Sequence, residues 1–139
     1  MTDVIRAAEP RDLPSIRALQ TCLHEPASDL FSDMPPGVTL VSEADGLVVG
    51  YIHAFTGEPA FATELAVAPS HRREGRGRRL FQALFVHLQR AGCQAVTLTV
   101  QPENEGARDL YEELGFVVET RLPGYFEDGG DALRLRRPL

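Results

Sequence analysis

The chain contains no lysine: all 14 of its basic residues are arginine, set against 20 acidic ones for a net charge of −6. That balance argues against a nucleic-acid-binding domain, which is usually basic. Cysteine is scarce. Cys22 and Cys93 stand far apart in no metal or redox spacing, and the apolar pattern around each makes buried, inert thiols the expectation. No cluster of His, Cys and Asp has ligand spacing, so no metal is expected. No apolar run approaches the roughly 20 residues of a membrane helix, and the first residues lack the basic-then-apolar layout of a secretory signal. A cytoplasmic protein without membrane partners is therefore expected. Repeats, low-complexity tracts and linkers are missing too, so residues 1–139 are expected to form one domain around one core.

What is present alternates between strand-like and helix-like patterns. Val4–Ala8 opens the chain, and Leu13, Ile16, Leu19 and Leu23 follow at helical spacing with Pro14 in the first turn. A short helix is expected around Ala27–Asp33. Strands Val38–Glu43 and Leu47–Phe55 flank Asp45-Gly46, a hairpin signal, and Ala60–Ala68 is the next strand. A helix over Gly77–Ala91 lines up Leu80, Phe81, Leu84, Phe85 and Leu88, and Gly92 stops it. Ala95–Val100 reads as a β-branched strand. Asn104 caps a last helix carrying Ala107, Leu110, Tyr111 and Leu114, which Gly115 ends. Phe116–Thr120 and Asp131–Arg136 read as closing strands. The order predicts an α/β (α+β) domain around a mixed sheet.

The stretch from Leu65 to Leu80 carries the chemistry. Arg72, Arg73, Arg76, Arg78 and Arg79 crowd a glycine-bearing loop at the start of a helix. Cations there oppose the helix dipole, whereas free N–H groups beside glycine suit an anion. A phosphate cradle is one reading and a tight turn with a solvated arginine face is the other. The loop is not a P-loop, since no Gly-Lys-Ser/Thr follows. Nor does it complete a dinucleotide fingerprint, because Leu80 stands where the third glycine belongs.

The pattern Val67-Ala-Pro-x-x-Arg72-Arg73-x-Gly75-x-Gly77 resembles motif A of the GCN5-related N-acetyltransferases (GNAT). Further along, Asn104-x-x-Ala107-x-x-x-Tyr111-x-x-x-Gly115-Phe116 resembles that family's second motif. The resemblance implies the GNAT fold: a mixed, mostly antiparallel sheet that splays between two parallel strands and is flanked by helices. It implies acetyl-CoA as co-substrate, with Leu65, Ala66 and Val67 on the acetyl and pantetheine arm. Arg72, Arg73, Glu74, Gly75, Arg76, Gly77 and Arg78 would wrap the pyrophosphate, and Asn104 would touch the cofactor. Members often dimerise, so a homodimer is among the implied partners.

Tyr111 matches the family tyrosine that protonates the departing thiolate. A phenol with a pKa of about 10 beside a thiol of about 8.5 can serve as that acid. The same residue also fits an apolar core stripe. Arg121-x-x-Gly-Tyr125-Phe126-x-Asp-Gly-Gly-Asp131-Ala132 resembles the ending of the ribosomal-protein alanine N-acetyltransferases, which acetylate α-amino groups. By that resemblance Arg121 and Tyr125 shape a peptide entrance.

The chain departs from the subfamily in having Phe126 as the second aromatic and Thr99 where a glutamate base is proposed. Deprotonating lysine at neutral pH costs on the order of 4 kcal/mol, an α-amine well under 1 kcal/mol, so a site short of a base suits an α-amine. Glu64 is an alternative base acting through water, or else an ordinary exposed strand carboxylate. His53, at period two with Val49, Tyr51 and Phe55, either lines the acceptor cleft or is structural. The resulting expectation is an acetyl-CoA-dependent N-acetyltransferase acting on a protein or peptide N-terminus. A small-molecule amine acetyltransferase and a non-catalytic acyl-CoA-binding module are the rivals.

Overall fold

The computed structural model describes residues 3–139; Met1 and Thr2, at the start of the expected 1–139 domain, lie outside the described residues. Strand β1 (Asp3–Ala7) leads through a short 3-10 turn into helix α1 (Leu13–Gln20). The hairpin β2 (Val38–Ala44) and β3 (Leu47–Phe55) is followed by β4 (Ala60–Val67) and helix α2 (Arg76–Arg90). Strand β5 (Ala95–Val100), helix α3 (Glu105–Glu113), β6 (Val117–Leu122) and β7 (Ala132–Pro138) complete the chain. The strands form one seven-stranded sheet in the order β1-β2-β3-β4-β5-β7-β6. Only β4 and β5 run parallel; every other neighbouring pair is antiparallel.

Local chemistry accounts for most of these boundaries. Asp45 and Gly46 both take positive φ, 50° and 82°, the pair a two-residue hairpin turn needs to match strand twist. In α2 the stripe from Leu80 to Leu88 is buried against the sheet. It packs with Ile52, Leu98, Val100, Leu133 and Leu135 in the larger core cluster. On the opposite face α1 lays Leu13, Ile16 and Leu19 over Val41, Tyr51 and Ala66.

Two expectations need correction. No helix forms around Ala27–Asp33. Residues 21–37 instead make successive turns between Pro26 and the Pro35-Pro36 pair, with isolated bonds such as Leu30 N–H to Ala27 O. Tertiary contacts, rather than a helical ladder, set the backbone here: Gln20 Nε2 donates to the Ala27 carbonyl at 3.2 Å and the Ala27 N–H donates to Glu64 at 2.9 Å. Phe31 is fully buried as a plug in the α1-side cluster, worth about 1.5–3 kcal/mol. Arg17 also donates to the Phe31 carbonyl at 2.8 Å. Cys22 is exposed rather than buried, because α1 has ended and its apolar face no longer governs the chain; Cys93 is buried as expected.

The feature that positions the site is the β4–β5 junction. These strands pair only at Ala60–Val96 and Phe61–Thr97, and beyond that point they diverge. A β-bulge at β4, between the pairs His53–Glu64 and Ala54–Ala62, switches the facing of β4. Ala62 joins the α2-side core, yet four residues later Ala66 joins the α1-side core. Bulges re-aim side chains in this way at functional edges. Among the described residues no helix is long and apolar enough to cross a membrane.

Candidate active site

The splayed strands leave main-chain groups without a sheet partner. Ala68 N–H donates to Val49 O on β3 at 2.8 Å. By the alternation of an antiparallel ladder, Leu65 and Val67 turn their N–H and C=O groups the other way, into the gap. The Val67 carbonyl confirms that direction by accepting from Arg72 Nε at 2.9 Å. Leu65, Ala66 and Val67 all line a cavity of about 940 Å³ at this gap.

A second cavity of about 360 Å³ adjoins it at the head of α2. Val67, Arg72, Arg73, Gly77, Gly106 and Leu110 line both, so the two spaces form one trough. Gly75 stands at the helix N-cap with φ of 76°, a left-handed conformation that costs glycine little. It offers no side-chain cap, and the first internal bond of the helix is Arg79 N–H to Gly75 O. The N–H groups of Arg76, Gly77 and Arg78 are therefore the open donors of the first turn, an anion site by geometry and dipole.

The arginines divide the work differently from the expectation. The Arg76 guanidinium is buried and points away from the trough. It donates to Glu74 Oε1 at 2.9 Å, Ser42 Oγ at 3.1 Å and Asp3 Oδ1 at 3.0 Å. Only its main chain faces the anion site. Arg78 is ion-paired with Glu113, and Arg79 donates to the Glu74 carbonyl at 2.8 Å. Much of the anionic charge these side chains require thus comes from the chain itself, and the Glu74 side chain is spent on Arg76. Arg73, at φ of 62°, and the outer nitrogens of Arg72 keep no protein partner among the described residues.

On the other wall, Asn104 caps α3 by accepting from Ala107 N–H at 3.2 Å and lines the cavity. Tyr111 lines it too, half-buried, with its ring edge-on to Phe81 and Phe116 at 5.6 and 5.9 Å between centroids. Burial pushes its phenol up to about 12, so it stays protonated. Its hydroxyl makes no hydrogen bond among the described residues. Core packing and a cavity-facing role therefore coexist in this residue.

The acceptor side is built by segments distant in sequence. Glu64 is buried, not an exposed strand carboxylate. Gln20 Nε2 and Tyr51 Oη donate to its Oε1 at 3.0 and 2.8 Å, and Ala27 N–H donates to its Oε2 at 2.9 Å. Tyr51 is held above the ordinary phenol range by burial first and the Glu64 charge second. His53 is fully buried behind Thr63, which lines the cavity in its place.

At the rim, Tyr125 is exposed and Phe126 packs edge-on against it and against His24. Glu25 accepts from the Glu127 N–H at 2.9 Å, tying residues 21–37 to the β6–β7 loop. Arg121 lies outside the cavity lining. It donates to Asp131 Oδ2 at 2.9 Å, while Gly124 N–H donates to Oδ1 at 3.0 Å. Those bonds hold the Asp131 carboxyl below its usual range, the Gly124 amide contributing most. Arg121 therefore braces the loop that presents Tyr125. Gln20, Tyr51 and Thr63 carried no motif signal, since each acquires its place only through the fold. Exposed His24, Glu25 and Asp128 approach one another closely at the rim; all three are engaged in the contacts that join the two loops.

The sheet thus opens at its parallel pair, with the open N–H groups of α2 at one end of the gap and a protonated phenol on its wall. The model of the Acetyltransferase (GNAT) family matches residues 7–116, and the chain belongs to that family. N-alpha-acetyltransferase 30 of Xenopus laevis is 40% identical over 72 residues, 52% of this chain. The match spans only 26% of that longer protein. An uncharacterised N-acetyltransferase of Methanocaldococcus jannaschii is 30% identical across 94% of this chain and 88% of its own length. Among solved structures, Ard1 from Thermoplasma volcanium superposes with a TM-score of 0.88 at 28% identity, covering 100% of this chain and 99% of that one. The ribosomal-protein-S18-alanine N-acetyltransferase from Escherichia coli gives 0.87 at 26% identity, covering 99% and 94%. The chain has the GNAT fold.

Proposed function

We propose that this N-acetyltransferase moves the acetyl group of acetyl-CoA to the α-amino group of a protein or peptide N-terminus. The observation that carries the reading is the continuous trough: the open N–H groups at the head of α2 and the gap-facing main chain of Leu65 and Val67 share one space with Tyr111. The residues fit the donor. Gly75, the main chain of Arg76, Gly77 and Arg78, and the free guanidinium of Arg73 suit a pyrophosphate, with Arg72 beside them. Leu65 and the Val67 N–H offer ladder groups to an extended amide-bearing arm, Ala66 lines the same wall, and Asn104 flanks it.

At the reacting centre the Val67 N–H is placed to hold the developing oxyanion; a preorganised donor of this kind is worth about 3–4 kcal/mol. Tyr111 stays protonated through neutral pH and supplies a proton to the departing sulfur. Its raised pKa lowers its driving force as an acid, so it acts chiefly by donating a strong hydrogen bond until the C–S bond is largely broken. Glu64, with three of its roughly four acceptor positions filled, keeps one position to orient the incoming amine. Tyr125, exposed on a loop braced by Arg121, lines the peptide entrance. Relatives and neighbours named as N-alpha- or alanine N-acetyltransferases support the N-terminal acceptor.

Mass spectrometry of acetyl-CoA reactions on peptides with free or blocked N-termini, each holding an internal lysine, tests the reading. Acetyl groups confined to free α-amines are expected. Acetylation of small amines but no peptide would move the assignment to a small-molecule acceptor, and acetyl-CoA binding without transfer would leave a binding module.

A further inference from the structure

N-acetyl transfer to an α-amine, the reading on which this inference rests, needs a destination for the acceptor's proton. Thr99 supplies no carboxylate on β5, and Glu64 is bound by Gln20, Tyr51 and Ala27. The β4 bulge places another group at the wall. Thr63 lines the cavity, and its Oγ1 lies 2.6 Å from His53 Nδ1. On the far side of the ring, Nε2 lies 2.9 Å from the Pro36 carbonyl. A carbonyl only accepts, so Nε2 carries the hydrogen of the neutral ring and Nδ1 presents its lone pair to the Thr63 hydroxyl.

We infer that Thr63 and His53 form a two-residue proton relay, in which the Thr63 hydroxyl takes a proton from the acceptor's α-ammonium while passing its own to His53 Nδ1. The α-ammonium loses its first proton to Thr63 Oγ1, and the imidazole becomes an imidazolium. The freed nitrogen lone pair forms the new C–N bond, and the C–S bond breaks. Tyr111 protonates the departing sulfur and is refilled by the second nitrogen proton. His53 then returns its proton through Thr63 to water, so one proton is released per turnover.

The surroundings of His53 suit a reversible proton store. Phe31 and Phe55 face the ring edge-on at 5.8 and 4.7 Å, and burial pulls the imidazole below its ordinary pKa. The ring therefore starts neutral, with Nδ1 vacant. Opposing that, the Pro36 carbonyl and the Glu64 charge favour the protonated ring; Glu64 is its cross-strand partner on β4. From β2 the opposite residue is Thr39, which carries no charge. Tyr51, two residues earlier on β3, stays a neutral phenol bound to Glu64. Once charged, the ring keeps a hydrogen-bond acceptor at each nitrogen, Pro36 O and Thr63 Oγ1.

The test compares Thr63→Val, Thr63→Ser and His53→Gln with the wild type, reading kcat/KM for a free-N-terminus peptide from pH 6 to 9.5. Melting temperature and acetyl-CoA affinity are measured alongside. Loss of general-base help of this kind costs about 10²–10⁴-fold. Thr63→Val is expected to lose on that order at pH 6.5. The deficit should shrink as the α-amine deprotonates unaided toward pH 9, with acetyl-CoA affinity unchanged. Thr63→Ser, which restores the hydroxyl, should recover most of the rate. A deficit equal at every pH, or a serine variant no better than valine, would show that the pair only pins the bulge and would overturn the relay. His53→Gln adds support if it folds and reproduces the Thr63→Val profile; an active Gln variant with the wild-type profile overturns the relay. A wild type that acetylates no amine sinks the acetyl-transfer reading itself, and the relay falls with it.

Discussion

Tyr51 and Glu64, thirteen positions apart on adjacent strands, are joined by a buried hydrogen bond of 2.8 Å from Oη to Oε1. The bond makes the cleft wall and the α1-side core one structure, because Tyr51 also packs edge-on against the Phe31 plug at 5.4 Å. Removing the hydroxyl leaves a buried carboxylate one donor short, a loss of about 1–3 kcal/mol. Tyr51→Phe is thus expected to lower the unfolding free energy by that amount in urea titrations. It should also raise the KM for the acceptor, while the acetyl-CoA dissociation constant stays fixed, since the anion site lies elsewhere in the trough.

Tyr111 is expected to separate binding from chemistry. Its hydroxyl makes no protein hydrogen bond among the described residues, whereas its ring packs with Phe81 and Phe116. Tyr111→Phe keeps the ring, so melting temperature and acetyl-CoA affinity should barely move. Loss of the proton donor should lower kcat by about 10²-fold or more. Because the phenol is pushed up to about 12 by burial, the wild-type profile should show no alkaline fall assignable to this group below about pH 11. A calorimetric titration with acetyl-CoA, run beside steady-state kinetics, checks both halves.

Local signals and long-range ones contributed unequally to what could be read from the chain. Strand β5 coincides with its expected Ala95–Val100, and Asn104 caps α3 as its side chain implied. These features depend on a few adjacent residues. The expected helix at residues 27–33 did not form, because Phe31 and Ala27 are held by side chains of α1, the sheet and Glu64, contacts that no local periodicity reports. Arg76 misled for the same reason. A basic residue opening a helix reads as an anion ligand, but Asp3 and Ser42 reach it across the sheet and turn its side chain inward. The loop of glycine and arginine was legible as a candidate anion site; which guanidiniums remain free there depended on the fold.

That division predicts which changes at the loop weaken the donor. Gly75→Ala forces a Cβ into a left-handed conformation and to 3.1 Å from Arg79 Nη1. The strain is about 1 kcal/mol, and it falls on the turn that aims the open N–H groups. Arg73→Ala removes a cation with no protein partner, so it should weaken acetyl-CoA binding several-fold with little change in stability. Arg76→Ala should do the reverse. It leaves Asp3 and Glu74 without their buried partner, lowering the melting temperature far more than donor affinity. Differential scanning fluorimetry with and without acetyl-CoA distinguishes the two, because ligand binding adds stability that grows with the logarithm of its affinity.

On the edge strand β1, Arg6 grips Asp12 with two bonds of 2.8 and 2.9 Å and reaches Glu43 at 3.1 Å. Asp12 also accepts from the Glu9 N–H at 2.7 Å, closing the turn that starts α1. The Arg6 guanidinium, chiefly, and the Glu9 amide hold the Asp12 carboxyl below its ordinary value, against the cost of burial. A group whose folded pKa is depressed stabilises the fold at pH above its unfolded value, near 3.9 for aspartate, and loses that contribution as pH falls through the folded value. Stability should therefore be insensitive to Asp12 ionisation at neutral pH and should drop below about pH 4. Asp12→Asn removes the charge at every pH, so it should lower the urea midpoint at pH 7 and flatten the fall between pH 4 and 2. Since α1 carries Gln20 to Glu64, the same variant should lose acceptor affinity at neutral pH. An unchanged acid limb in Asp12→Asn would instead assign the acid sensitivity to other carboxylates.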